Sequence, residues 1–182
     1  MKRLTSAQIR SRFGNPADSK GHLNRAWEHA NVVSVLLPFP MRNVYNEQVQ
    51  RAILFHRKGA DQLIAAQTDI WNYTRRAIKA RVGNGKTTVE YDRLTLDELQ
   101  RLGLDLYGGS YVFRLIRGAN SLSMHAYAIA FDVDPKHNAL GTKGRFFKPE
   151  YAPYVAIYER HGFYWGGRFS RKDGMHFELT AA

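Results

Sequence analysis

The hydrophobic pattern changes period partway along the chain, and that change sets the fold class. Over residues 60–81, Leu63, Ile70 and Ala77 recur every seven residues, and Ile64, Trp71 and Ile78 form the adjacent row. Such spacing makes one broad apolar face on a long helix. Arg75, Arg76, Lys79 and Arg81 crowd its C-terminal end, where the helix macrodipole favours cations. After Gly108-Gly109 the character is different. Residues 110–116 and 127–133 read as strands, the second with clear alternation, and residues 163–165 and 175–180 as short final strands. Helices first and strands after predict an α+β fold, N-terminal helices packed on a small antiparallel sheet.

Other segments fill in this outline. Residues 46–58 carry Val49, Ala52, Ile53 and His56 at helical spacing and predict a helix stopped by Gly59. Gly83-Asn84-Gly85-Lys86 is a turn that lacks the spacing of a phosphate loop. Thr95-Leu96-Asp97-Glu98 matches a capping box opening a short helix to Leu102. Residues 149–161 predict a helix ended by Gly162. The first forty residues are rich in turn signals and read as an arm packed on the body through Trp27 and the Val32 to Leu37 run. The expected division is residues 1–107, arm and helices, against residues 108–182, the chemical core, together one compact domain.

Composition narrows the chemistry. The chain of 182 residues has no cysteine, which removes disulfides, thiolate metal sites and cysteine nucleophiles together. Any metal must be held by histidine and carboxylate. Lys and Arg outnumber Asp and Glu by 27 to 16, a formal charge of +11, and such a field attracts polyanions. The basic residues are spread along the chain with no dense run, so no dedicated nucleic-acid partner is expected. Met1-Lys2-Arg3 is followed by polar residues, not the apolar stretch of a secretory signal. The expectation is a monomer made in the cytoplasm.

Two segments carry the chemistry. The first places His125 seven residues before Asp132 on a strand where Ala128, Ala130 and Asp132 share one face. Two alanines beside an inward carboxylate leave room for a metal and a substrate, and a carboxylate on an apolar strand must be paired or ligated. The second supplies His176, three residues after Asp173. Two histidines and one carboxylate make a zinc set of three protein ligands with the fourth position open for water. Zinc lowers the pKa of that water to about 7, and Asp173 is the candidate to take and return its proton. Singly, each piece also reads as ordinary structure: a satisfied core histidine, a turn closing a strand before Pro135, or a turn at Asp173-Gly174.

Together, Ser123-x-His125-x-x-Ala128-x-Ala130-x-Asp132, Trp165-Gly166-Gly167 and Asp173-x-Met175-His176-Phe177-Glu178 resemble the signature of the LAS metallopeptidases. That family comprises D-Ala-D-Ala carboxypeptidases and dipeptidases, with the L-alanoyl-D-glutamate endopeptidases of bacteriophage endolysins. The resemblance covers residues 108–179 and implies a hedgehog/DD-peptidase-like fold. By motif it implies Zn2+ on His125, Asp132 and His176, with Asp173 as general base. An arginine upstream of the first histidine stabilises the oxyanion in relatives; Arg114 and Arg117 both qualify, Arg114 being favoured. Where relatives have glycine between histidine and aspartate, this chain has Ala128. An aspartate at the base position points to the endolysin branch.

Ser123 is expected to hold the loop or meet substrate, and Trp165 to lie beneath the metal loop or along the substrate groove. His137 and Asn138 are expected at the rim, and His22, His29, His56 and His161 to be structural or at the surface. The implied partners are bacterial peptidoglycan and anionic wall polymers or outer-membrane lipids. An enzyme of this kind would reach the wall after release from the cell or from a virion. The alternatives are a carboxypeptidase of the same family and a non-catalytic basic module binding wall or nucleic acid.

Overall fold

A computed structural model describes residues 2–180. Two short helices, α1 (Ser6–Phe13) and α2 (Arg25–Asn31), lead into strands β1 (Val32–Asn43) and β2 (Val49–His56). Helices α3 (Ala60–Val82) and α4 (Thr88–Leu102) follow, then β3 (Leu106–Gly109), β4 (Ala130–Val133), α5 (Ala152–Arg160), β5 (Phe163–Trp165) and β6 (His176–Leu179). The six strands form one sheet in the order β2-β1-β3-β4-β6-β5. Every neighbouring pair is antiparallel except β1 and β3, which run parallel at Arg42 and Asn43. The class is α+β, as expected, and β3 runs across residues 107 and 108.

Alternation sorts the two faces of the sheet. Phe131 and Val133 of β4 and Phe177 and Leu179 of β6 point into the core, where Phe131 packs against Phe55, Tyr158, Phe163 and Phe177. Helix α3 covers this face with Leu63, Ala66, Gln67, Ile70, Thr74 and Ile78, all buried. The predicted apolar rows are rotated slightly: Ala77 faces outward and Ile64 is exposed. Among the described residues no helix is long and apolar enough to cross a membrane.

On the opposite face lie Asp132, His176 and Glu178, together with the arm formed by α1 and α2. The arm is pinned to β2. Trp27 Nε1 donates to the Phe13 carbonyl at 2.7 Å, and His56, fully buried, packs edge-on to Phe13 and beside Trp27. Burial, against a hydrogen bond to the Phe13 carbonyl, lowers the His56 pKa to about 4, so the ring is a neutral core group.

Four expectations change. Residues 46–58 form a turn and strand β2, because Val49, Ile53 and Phe55 pair with β1 instead of building a helical face. The Val32 to Leu37 run belongs to β1, not to the arm. Pro38 and Pro40 sit where the β1–β2 register breaks between Leu36 and Met41, and prolines there forfeit no ladder bond. Helix α4 begins eight residues early, at the capping box of Thr87 and Glu90, while Thr95 is buried inside it with its hydroxyl on the Tyr91 carbonyl. Residues 110–116 add no strand to the sheet. They form one leg of a flap that folds on itself through the Leu115–Leu122 bridge and the Ile116 N–H to Ser121 carbonyl bond.

Candidate metal centre and active site

Three side chains from two strands and one turn converge on the open face. Asp132 of β4 and His176 of β6 are directly opposed in the antiparallel ladder. His125 enters from a 3-10 turn, Met124–Tyr127, just before β4. Ser123 caps that turn, its hydroxyl accepting the His125 N–H at 3.3 Å. Ala128 ends the turn at φ 53 and ψ 35, a left-handed conformation that reverses the chain into β4. That conformation is costly for any residue with a Cβ.

The ligand atoms are poised for one cation. His125 Nε2 lies 3.2 Å from His176 Nδ1 and 3.4 Å from Asp132 Oδ1, and His176 Nδ1 lies 3.0 Å from Asp132 Oδ1. Zinc with nitrogen and oxygen ligands at about 2.0–2.1 Å in a tetrahedron puts ligand atoms roughly 3.3 Å apart. The observed triangle fits that edge. It is also the one group of His, Asp or Glu side chains among the described residues that could hold a metal.

The far side of each ring fixes its tautomer. His125 Nδ1 donates to the Ser110 carbonyl at 3.3 Å, leaving Nε2 for the cation. His176 Nε2 donates to Glu178 Oε2 at 3.2 Å, leaving Nδ1 for it. Glu178 is buried and in turn receives Arg3. Such outer partners orient metal-binding imidazoles and raise their basicity.

Charge in the site is strongly coupled. Burial pushes the Asp132 carboxyl up, but the adjoining His125 and His176 rings outweigh it and hold Asp132 well below the usual carboxylate range. Burial lowers His176, yet Asp132 and Glu178 on either side raise it to about 10. Asp173 moves the other way. Its burial raises the carboxyl pKa, the nearby Asp132 adds to this, and His176, His125 and Arg114 oppose it. Asp173 Oδ1 is buried with no hydrogen-bond partner among the described residues, the condition expected of a group awaiting water or substrate.

A pocket of about 550 Å³ opens over the cluster, within the range of small-molecule and peptide sites. Arg114, Arg117, Ser123 and Asp173 line it, as do Arg3 and Arg171. Arg114 and Arg117 are exposed on the flap, and the Arg114 charge is among those that lower Asp173. Trp165 is placed differently. It is buried, packs on Phe147 and donates Nε1–H to the Gly174 carbonyl at 2.8 Å, so it supports the loop from below and does not line the pocket. Asn138 is also interior: it accepts the Phe146 N–H through its side chain and the Met175 N–H through its backbone, tying two loops together.

Sequence reasoning missed Arg3, Ser110, Arg171 and the role of Glu178. Glu178 had a signal, since a residue two after His176 on a strand shares its face. Arg3 had none, because 175 positions separate it from its partner.

No curated protein and no solved structure matches this chain. Residues 117–179, which include both histidines, Asp132 and Asp173, match the family described as D-alanyl-D-alanine carboxypeptidase. The match leaves residues 1–116 outside it, and the His–Asp–His cluster that could hold a metal lies within it.

Proposed function

We propose that this protein is a zinc-dependent peptidase that cuts inside peptidoglycan stem peptides, an L-alanoyl-D-glutamate endopeptidase of the endolysin type. The observation that carries the hydrolytic reading is the His125–Asp132–His176 triangle with half-buried Asp173 in the same pocket, its Oδ1 buried and without a hydrogen-bond partner among the described residues. The aspartate at the base position, Asp173, favours the endopeptidase branch, and the pocket of about 550 Å³ has room for a peptide.

His125, Asp132 and His176 would hold the metal. When bound, zinc supplies a Lewis acid for the scissile carbonyl and brings its water to a pKa of about 7. Asp173 accepts the proton of the attacking water and returns it to the leaving amine. Arg114, with Arg117 beside it on the flap, faces the negative charge that develops on the carbonyl oxygen, where a fixed cation lowers the barrier. Ser123 holds the turn that presents His125, and Trp165 supports the loop that presents Asp173. The net charge of +11 would concentrate the enzyme on anionic wall polymers or outer-membrane lipids, reached after release from the cell or from a virion.

The second reading, trimming of a terminal D-alanine, is favoured by the description of the matching family. Mass spectrometry of digested peptidoglycan separates the two. New L-Ala-terminated and D-Glu-started fragments that vanish with chelator and return with zinc establish the endopeptidase. Release of D-alanine alone establishes the carboxypeptidase, and no product under any zinc condition removes both.

A further inference from the structure

The arm reaches the metal centre with one side chain. Arg3, just before α1, grips Glu178 of β6 in a two-point contact, Nε to Oε1 at 2.5 Å and the second nitrogen to Oε2 at 3.1 Å. Glu178 is the residue that receives the Nε2–H of His176. The guanidinium carbon also sits 4.2 Å over the centre of the Phe169 ring, and that ring lies 5.9 Å from the His176 ring. Arg3 therefore has its plane set by an aromatic face and its hydrogen bonds set by a carboxylate, a geometry lysine cannot reproduce.

Burial gives this contact its consequence. The Glu178 side chain is 3% exposed, whereas Arg3 is 46% exposed. Water cannot stabilise that carboxylate, so removing Arg3 leaves a buried charge with only a histidine to offset it. Glu178, no longer held at both oxygens, would then rotate toward solvent, and that movement releases the His176 ring from its orientation. An imidazole free to turn presents Nδ1 to the metal for less of the time.

We propose that Arg3 is a positioning residue for the metal centre, acting through Glu178 to hold the His176 ring and so to set metal affinity. This rests on the metal-site reading above. It makes the N-terminal arm part of the metal centre's support, and not merely a cover for the sheet.

The test is zinc affinity by competition with a chromophoric chelator, measured on the full chain for the wild type, Arg3→Ala, Arg3→Lys, Glu178→Gln and the Arg3→Ala/Glu178→Gln pair. Circular dichroism of each metal-free protein checks the fold. Loss of a supporting partner weakens metal binding by about 10–100-fold, which is the expectation for Arg3→Ala. Arg3→Lys should fall between it and the wild type, and the pair should bind no more weakly than Glu178→Gln alone. Wild-type affinity in Arg3→Ala, or losses that add in the pair, would overturn the proposal while leaving the metal site intact. If Arg3→Ala does not fold, Arg3→Lys decides: unchanged affinity overturns the proposal, a several-fold loss supports it. A wild type that takes up no zinc overturns the metal-site reading and this inference together.

Discussion

His125 Nε2 and His176 Nδ1 face each other at 3.2 Å, with Asp132 Oδ1 within 3.4 Å of both. Two imidazole lone pairs do not approach this closely unless a proton or a cation lies between them. In the metal-free protein the proton belongs to His176, which Asp132 and Glu178 raise to about 10 against the lowering effect of burial. Metal and proton therefore compete for one position.

Zinc uptake at pH 7 should release about one proton from His176, and affinity should rise about tenfold per pH unit below pH 10. Calorimetry in buffers of different ionisation enthalpy measures the proton count directly, and a count near zero would remove the competition. The same shift has a stability side. Because the folded value lies above the ordinary 6.5, the charged ring stabilises the metal-free fold fully below about pH 6.5. That contribution is lost as pH rises through about 10, so the metal-free protein should melt at lower temperature in alkali and zinc should offset the loss.

Asp173→Asn should bind zinc as the wild type does and lose about 10²–10⁴-fold in turnover, since only the proton transfer is removed. Asp132→Ala should lose both metal and activity. Metal analysis beside a hydrolysis assay separates the two roles. Normal turnover in Asp173→Asn would exclude it as the base.

Arg114 and Arg117 both line the pocket, and the Arg114 charge helps to lower the Asp173 carboxyl against its burial. Arg114→Ala should therefore cost about 10²-fold in kcat, the scale of one lost oxyanion donor, with less effect on KM. Arg117→Ala should mainly raise KM. A reversed pattern in steady-state kinetics would exchange their assignments.

Ala128 sits in a left-handed conformation inside the site's framework. Glycine there relieves roughly 1 kcal/mol of backbone strain and loses the burial of one methyl, about 0.8 kcal/mol, so Ala128→Gly should be nearly neutral. Ala128→Val adds a branched side chain to the same strained backbone and should cost more than about 2 kcal/mol. Chemical denaturation of the two variants checks the turn; a tolerated valine would exclude the left-handed conformation.

The contrast between Ile70 and Ile53 shows what the sequence makes legible. Ile70 lies in a long periodic run where the helix satisfies its own backbone, so local pattern suffices and α3 is readable. Ile53 lies in eight residues whose backbone bonds go to β1, a partner that local spacing does not name. The site divides in the same way. His125, Asp132 and His176 are readable because chemistry restricts a metal to few residue types and the strand alternates its faces. Arg3 and Ser110 act on those ligands through distant contacts, one to a side chain and one from a carbonyl, and neither kind leaves a motif. The capping boxes at Thr87 and Thr95 match equally well as strings. Only the path of the chain from Gly83 to Tyr91, closed by the Tyr91 hydroxyl on the Gly83 carbonyl, chooses the first.

Gly166 is where packing leaves the site no slack. A Cβ added there would stand 2.5 Å from the Asp173 carbonyl oxygen and 3.1 Å from the Cβ atoms of both Asp173 and His176. The 2.5 Å contact is with backbone, so the loop carrying Asp173 must move, and the Asp173 N–H bond to the Gly166 carbonyl moves with it. Both functional side chains shift together, while the core beneath, Phe177 and Phe131, is untouched. Gly166→Ala should therefore keep its far-ultraviolet circular dichroism, lose at least about tenfold in zinc affinity and lose more than about 10²-fold in hydrolysis. Displacement by an ångström at a catalytic group is enough for the second loss. Measuring zinc affinity and turnover on the folded variant tests the prediction, and wild-type values for both would mean that Gly166 and Asp173 are not in the contact described.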